Sequence, residues 1–323
     1  MDISVIVPLY NEEESLPELE KWIDRVMKEN NLSYEIVFVN DGSNDKSADV
    51  IKTLATENKN VRGVSFRRNY GKSAALFCGF EKAEGDVVIT MDADLQDSPD
   101  EIPGLFHMIK KEKYDLVSGW KKKRYDSKLT KNIPSKFYNY VARKVSGTKL
   151  HDMNCGLKAY RKNVIKSVEV YGEMHRYIPV LAKQAGFNNI GEKVVEHRKR
   201  QYGTTKFGMD RFVNGFLDLM TITFMSKFGK RPMHFFGLIG TMFILLGIVF
   251  TLLIGAYKWY ALNKGLNMPL VTDLPYFYIA ITTIIIGSQM FLAGFLGELI
   301  TRNSQERNVY LIEEEIGYKK IIS

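Results

Sequence analysis

The chain has 323 residues, 45 Lys and Arg against 37 Asp and Glu, a formal net charge of +8, and 45% hydrophobic residues. That length holds one large domain with an appendage, or two domains. Its two cysteines, Cys78 and Cys155, exclude a disulfide-built fold and are expected as free thiols in a reducing compartment. The basic excess gathers in "GWKKKRYDSK", in "EHRKRQ" and ahead of the apolar C-terminal region. Anionic lipid or a phosphorylated substrate suits that placement better than nucleic acid.

The N-terminus carries no basic segment leading into a signal-like apolar core, so the first domain is expected to stay in the cytosol. Ile3 to Val7 is short, β-branched and apolar without polar alternation, the pattern of a strand buried on both faces. A helix follows it, with Ser15 and Glu18 spaced as a capping box and Pro17 in the first turn. "YEIVFVNDGS" repeats strand and turn, and residues 45–57 read as helix. Strand "VRGVSF", helix "GKSAALFCGFEKA", strand "VVITM", a helix over 99–111 and strand "DLVSGW" complete the series. Strands alternating with helices predict an α/β fold, a mostly parallel sheet covered on both faces.

In such a sheet, ligands bind beyond the carboxyl ends of the strands. The rule gathers Pro8, Tyr10, Asn11 and Glu12 after the first strand, Asp41 and Gly42 after the second, and Asp92, Asp94 and Gln96 after the fourth. Neither a GxGxxG fingerprint nor a Walker A motif is present. Two carboxylates two residues apart on one turn can share a hard divalent cation while leaving positions open for substrate phosphates. Asp94 is the first choice as direct metal ligand, with Asp92 and Gln96 assisting. The competing reading is that these acids belong to the next helix, with Asp97 or Ser98 capping it before Pro99. Asp41, in the turn sequence "NDGS", reads equally as turn chemistry or as a base or ribose contact. Tyr10 and Glu12 divide the same way, between turn surface and nucleotide contact. His151, His175 and His197 lack zinc-like spacing with the cysteines.

The C-terminal third changes character. The mean hydropathy of −0.17 conceals two runs free of Asp, Glu, Lys and Arg, His234 to Tyr257 and Leu274 to Leu296. Both are long enough to span a bilayer. Lys227, Lys230 and Arg231 precede the first and Arg302 and Arg307 follow the second, against Lys258 and Lys264 between them. The positive-inside rule places both flanks in the cytoplasm. Phe212, Phe216, Met220 and Phe224 recur every four residues, as in a helix lying in the bilayer interface. Gln289 and Glu298 in the second run are candidates for pairing between helices or subunits. The chain thus divides into a cytosolic α/β domain (1–206), juxtamembrane amphipathic helices (207–232), a two-helix transmembrane domain (233–300) and a cytosolic tail (301–323).

In order along the chain, "VIVPLYNEEESL", "VNDGSNDKS", "RRNYGKSAALFCGF", "GDVVITMDADLQDSPDEIP" and "DMNCGLKAYRK" resemble glycosyltransferase family 2. More narrowly they are similar to its polyprenyl-phosphate branch, of the dolichyl-phosphate mannose synthase and bactoprenol glucosyltransferase kind. The likeness covers nearly the whole chain, and the series is far more specific than any one motif. It implies a GT-A fold and inverting transfer of a sugar from a UDP- or GDP-linked donor to undecaprenyl or dolichyl phosphate, with Mg²⁺ or Mn²⁺. The product would be a lipid-linked monosaccharide for glycan or cell-envelope assembly, made at the cytoplasmic face of the inner membrane by an enzyme able to form homo-oligomers. By motif match, Pro8, Tyr10, Glu12 and Asp41 would hold the nucleotide, and Asp92, Asp94 and Gln96 the metal and diphosphate. Arg200, Gly203, Thr205 and Lys206 fit the family's R-x-x-G-x-[ST]-K acceptor-phosphate pattern, with Thr205 where Ser is frequent. Arg and Lys around a Gly also suit a phosphomonoester on chemical grounds alone.

A phosphate monoester is already largely a dianion at neutral pH, so Asp152 reads equally as a general base or as a group that orients the acceptor. Arg124 reads as a contact to donor diphosphate or acceptor phosphate, or as part of a solvated basic loop. Arg176 is a further candidate lining residue. A processive polysaccharide synthase would carry Q-x-x-R-W, which none of Trp22, Trp120 or Trp259 sits in. A nucleotidyltransferase has no use for membrane spans. The remaining alternatives are a membrane transferase with a different acceptor and a nucleotide-sugar-binding scaffold without turnover. Which sugar is carried depends on loop contacts that no motif states.

Overall fold

The computed structural model describes residues 1–122, 150–172, 174–198, 224, 228, 232–266, 269–303, 310 and 312–317. These fall in two compact units, Met1–Thr223 with Arg307–Ser323, and Phe224–Glu306.

In the first unit the chain runs β1 (Ile3–Leu9), α1 (Leu16–Glu29), β2 (Tyr34–Asn40), α2 (Ser47–Glu57), β3 (Val61–Phe66), α3 (Lys72–Lys82) and β4 (Val87–Thr90). It continues through α4 (Ile102–Lys110), β5 (Leu116–Trp120), β6 (Lys158–Arg161), α5 (Lys162–Ser167), α6 (Ile178–Gln184) and β7 (Ile190–Val194). A final strand, β8 (Ile312–Ile316), follows the second unit in sequence. The eight strands form one sheet in the order β7-β5-β6-β4-β1-β2-β3-β8. Its centre, β3-β2-β1-β4, is parallel, as the alternation of strands and helices requires. β6 and β8 run antiparallel to their neighbours. The expectation of a mostly parallel sheet holds for the centre, and β6 separates β4 from β5.

Alternation along β1 shows why its residues are apolar on both sides. Ile3, Val5 and Val7 join the core built with Leu16, Leu19 and Ile23 of α1, Ile51 of α2 and Ile102 and Leu105 of α4. Ile6 and Val39, of opposite parity, lie against Gly79 of α3. The capping box expected at α1 does not form. Ser15 Oγ donates instead to the Glu12 carbonyl at 3.1 Å and to Glu12 Oε2 at 3.3 Å, tying the turn after β1 to itself.

Residues 312–316, read from the sequence as part of a tail, pair as β8 with β3 and cover that edge of the sheet. Tyr310 packs on Phe66, Tyr70 and Phe77 beside it.

The second unit is a helical hairpin, α7 (Pro232–Asn263) and α8 (Pro275–Asn303), both long and apolar enough to cross a membrane. Its large side chains point away from the hairpin, with Leu252 66% exposed. Its seam is made of glycine: a Cβ on Gly240 would lie 2.6 Å from the Gly287 carbonyl oxygen, and one on Gly287 2.7 Å from that of Gly240. Close backbone approach through small residues is how helices associate where solvent supplies no hydrophobic force. Phe224 and Phe228 stack with Phe235 and Phe236 at the start of α7. The other positions of the amphipathic stretch, Phe212, Phe216 and Met220, lie outside the described residues.

Candidate active site

The crossovers after β1 and β4 leave β1 in opposite directions, so the crevice between the carboxyl ends of these strands is the topological switch point. The ladders widen it. β1 pairs with β2 as far as Leu9–Asn40, but with β4 only as far as Ile6–Thr90, closed by a bond from the Met91 N–H to the Ile6 carbonyl at 3.1 Å. Pro8, which has no N–H to give, falls beside the point where β4 has turned away.

On one side of the crevice the turns after β1 and β2 are laced together. Asn11 adopts a left-handed φ of 57°, its N–H donates to Ser43 Oγ at 2.9 Å, and its Oδ1 accepts from the Asn44 N–H at 2.9 Å. The Glu12 N–H donates to Ser47 Oγ at 3.1 Å, and Asn44 Nδ2 reaches the Tyr10 hydroxyl at 3.4 Å. Asp41 holds the third loop: its buried carboxylate accepts from the N–H groups of Tyr70 at 2.7 Å and Gly71 at 2.9 Å. Burial pushes its pKa up against the pull of those two bonds. Gly42 has φ +68° and no room for a Cβ, which would sit 2.4 Å from the Arg68 carbonyl carbon. Tyr10, Glu12 and Asp41 therefore come together at one rim. Asp41 acts here as a turn residue that fixes a neighbouring loop.

On the other side, Met91, Ala93 and Leu95 are buried while Asp92, Asp94 and Gln96 alternate with them, half-buried at the crevice. Leu95 has φ 58°, an unusual conformation for a branched apolar residue; strain of this kind persists where the surroundings impose it. Asp94 Oδ1 accepts from the Gln96 N–H at 3.2 Å, and Gln96 Nε2 donates to the Arg198 carbonyl at 3.4 Å. The helix-capping alternative fails for Asp97. That residue is 0% exposed and pairs with Lys121 Nζ at 2.6 Å, while Ser98 at the N-cap position makes no side-chain cap.

Asp92 pairs with the ammonium of Lys72, the first residue of α3. Burial alone would raise the Asp92 pKa, but the ammonium groups of Lys72, then Lys121 and Lys158, outweigh it and push it down to about 2. Gly156 makes room for this carboxylate, since a Cβ there would lie 2.6 Å from Asp92 Oδ2. Beside Asp92 opens a cavity of about 240 Å³. Pro8, Lys72, Asp92 and Arg176 are among its lining residues, as are the fully enclosed Thr90, Met153, Lys158 and Tyr160. Lys158 is 4% exposed, donates to the Cys155 carbonyl, and has its pKa lowered by burial. His175 Nδ1 lies 3.1 Å from Ser73 Oγ. Burial, reinforced by Lys72, Arg176 and Lys158, lowers the imidazole pKa to about 2 and holds it neutral.

Asp152 is 2% exposed, and its carboxylate accepts from the Asn154 N–H at 3.1 Å. Glu192 Oε1 on β7 accepts from the N–H groups of His151 and Asp152, both at 2.9 Å, and His151 stacks on Trp120 with ring centroids 4.3 Å apart. The turn carrying Asp152 is thus fixed next to Met153 and Asn154, which do line the cavity. Arg124, Arg200, Gly203, Thr205 and Lys206 lie outside the described residues.

Lys72 and Lys158 were not singled out from the sequence. The first was within reach, because a residue that opens the helix after β3 must stand at the carboxyl edge. Among the described residues no three His, Cys, Asp or Glu side chains converge as a closed metal cage. Asp92, which lines the cavity, and Asp94, two residues on along the same turn, do supply hard oxygen donors, a set that fits a divalent cation completed by substrate phosphate oxygens.

The model of the family "Glycosyl transferase family 2" matches residues 4–168. Over 304 residues the chain is 34% identical to a dodecaprenyl-phosphate galacturonate synthase of Rhizobium johnstonii, covering 94% of this chain and 88% of that one. It is also 34% identical over 322 residues to an undecaprenyl-phosphate 4-deoxy-4-formamido-L-arabinose transferase of Proteus mirabilis, covering 98% and 95%. Among solved structures, glucosyl-3-phosphoglycerate synthase of Mycobacterium tuberculosis, in complex with Mn²⁺, UDP-glucose and phosphoglyceric acid, superposes with a TM-score of 0.52 at 18% identity. It covers 70% of this chain and 79% of that one, a likeness of fold. On the family match, the two long relatives and the GT-A-like sheet with its acidic strand end, the chain belongs to glycosyl transferase family 2 and is a glycosyltransferase.

Proposed function

We propose that this glycosyltransferase moves a sugar from a UDP- or GDP-linked donor to the phosphate of a polyprenyl phosphate at the cytoplasmic face of the membrane, with inversion at the anomeric carbon. The observation that carries the reading is a cation-rich cavity at the switch point of an α/β unit whose chain also contains an apolar helical hairpin. Both long relatives, whose likeness runs through the hairpin as well, bear the names of polyprenyl-phosphate sugar transferases. β8 adds a constraint on topology. The chain leaves the α/β unit, forms α7 and α8 and returns to pair with β3, so a membrane crossed by the hairpin is crossed an even number of times. The basic residues flanking the two helices favour the cytoplasmic side for that unit.

In this reading Tyr10, Glu12 and Asp41 form the nucleotide rim, and Asp92, Asp94 and Gln96 face the donor diphosphate. Mg²⁺ or Mn²⁺ held by Asp94 and Asp92 would supply charge neutralisation of the leaving diphosphate. Lys72 serves the same developing charge from the protein side. Arg124, Arg200, Gly203, Thr205 and Lys206 receive the acceptor phosphate, a dianion that needs placement more than deprotonation. Asp152, enclosed and accepting from the Asn154 N–H, then acts by positioning Met153 and Asn154 at the cavity wall.

The test uses membranes containing the protein, polyprenyl phosphate, Mg²⁺ or Mn²⁺ and a panel of labelled UDP- and GDP-sugars. Label should enter the organic phase from one donor, be removed by chelator, and be absent with Asp94→Ala. No lipid-linked label from any donor, with the folded protein still binding nucleotide sugar, would overturn the reading.

A further inference from the structure

β8 is antiparallel to β3, so the residues that precede it lie at the carboxyl end of β3, the edge of the sheet that carries the candidate site. Tyr310 is there. Two residues ahead of Ile312, the partner of Phe66, its ring meets three successive parts of one crossover: Phe66 at the end of β3 with centroids 5.7 Å apart, Tyr70 in the loop over 67–71 at 5.4 Å, and Phe77 in α3 at 6.1 Å. The Tyr70 ring also meets Phe66 edge-on at 5.6 Å and carries the Arg68 guanidinium 4.6 Å from its centroid. Arg67, Arg68 and Asn69 are exposed, whereas Tyr70 is half-buried and packs its ring on the sheet edge. The backbone of the same loop forms part of the rim. Tyr70 and Gly71 give their N–H groups to Asp41, and the backbone of Arg68 and Asn69 lies so close to Gly42 that no Cβ would fit. Gly71 leads directly into Lys72, which opens α3 and pairs with Asp92.

We propose that Tyr310 is a positioning residue for the nucleotide: its ring holds Tyr70, and through Tyr70 the loop that Asp41 joins to the nucleotide rim. The inference rests on the proposed reading of that rim and adds to it a residue that follows α8 in the chain. A short exposed loop belongs to the least stable parts of a fold unless contacts fasten it. Asp41 fastens this one by its backbone on the rim side, and the aromatic group fastens it by the Tyr70 side chain on the β8 side. β8 is secured independently of Tyr310, by its ladder to β3, by Ile316 against Gly63, and by the ion pairs of Glu314 with Lys52 and Glu315 with Lys82. Removing the Tyr310 ring therefore loosens one side of the loop while the strand stays in place. A loop that is looser before the nucleotide arrives gives up more freedom on binding, and affinity falls accordingly.

The experiment measures the Kd of UDP and of GDP, with Mg²⁺, by titration calorimetry on the full-length protein in nanodiscs, together with Tm. For the nucleotide that the wild-type protein binds, Tyr310→Ala should raise Kd about 2- to 10-fold, the equivalent of one aromatic contact. Tyr310→Phe, which keeps the ring, should keep the wild-type value. Tyr70→Ala should weaken binding too, and the double variant should be no weaker than Tyr70→Ala alone, because the two rings act in series. Ile316→Ala truncates the same segment away from Tyr70, and should lower Tm without changing Kd. If Tyr310→Ala does not fold, Tyr310→Leu, which keeps apolar volume without a ring, takes its place. A Tyr310→Ala protein with a lower Tm and the wild-type Kd overturns the inference and leaves the proposed function standing, since Tyr310 then serves the fold alone. Effects of Tyr70→Ala and Tyr310→Ala that multiply in the double variant, or an Ile316→Ala protein that loses as much affinity as Tyr310→Ala, also overturn it. A folded wild-type protein that binds neither UDP nor GDP overturns the proposed donor, and this inference with it.

Discussion

Charges at two margins of the same sheet are disposed in opposite ways. At the β3–β8 edge they meet in the open, Lys52 Nζ with Glu314 at 2.8 Å and Lys82 Nζ with Glu315 at 2.6 Å. At the carboxyl end of β4 most are enclosed, with Asp97 held by Lys121 in the interior and Lys158 buried against a cavity that the half-exposed Lys72 also lines. Exposed pairs contribute little to stability, whereas an enclosed charge is expensive to leave unmatched. The edge charges therefore finish a sheet and keep it from pairing further, and the enclosed ones divide into a structural pair and a group facing the cavity.

Removing the structural pair should have the largest effect. Asp97→Ala leaves Lys121 enclosed without its counter-charge, and a loss of about 3–5 kcal/mol is expected in denaturant unfolding. Next comes Gly156→Ala. Its Cβ would press on Asp92 Oδ2, and displacing a site carboxylate by this much should lower the transfer rate about 100-fold while nucleotide binding at the opposite rim persists. Acid should act more gradually. Asp24 has a depressed pKa, because bonds from Lys28 and Tyr34 outweigh the opposing effect of burial; that of Glu84 is depressed by Arg62. A depressed carboxylate contributes stability that is present above its ordinary value, near 3.8 for Asp and 4.5 for Glu, and is lost as pH falls through the lower folded value. The Tm of the protein should accordingly fall on acidification below that range. Glu315→Ala should be the mildest change, at most about 1 kcal/mol and smaller in high salt. A loss comparable to that of Asp97→Ala would erase the distinction between the two margins.

What the sequence disclosed follows from how much each feature depends on its neighbours in the chain. Ile3–Val7, "YEIVFVN" and "VVITM" identify buried parallel strands by themselves, and the switch-point rule then brings Pro8, Tyr10, Glu12, Asp41, Asp92, Asp94 and Gln96 to one edge. The two apolar runs declare α7 and α8 by length. β6 is different. Its antiparallel course between β4 and β5 is fixed by long-range pairing, so Lys158 reads as one lysine among many until Thr90 is seen opposite it. β8 hides for the reverse reason, because "IEEEI" carries three acids and its place is set by β3 and by Lys52 and Lys82. The Ser15–Glu18 spacing misleads because Ser15 has a nearer acceptor in Glu12.

The most direct test of the central claim, that the crevice at the carboxyl ends of β1 and β4 receives the nucleotide sugar, is a structure of the full-length protein in nanodiscs with a non-transferable phosphonate analogue of its preferred nucleotide sugar and Mg²⁺. The account predicts the nucleoside at the Tyr10–Asp41 rim and the diphosphate at Asp92 and Asp94, within reach of Lys72. A bound analogue whose diphosphate lies away from Asp92 and Asp94 would contradict it.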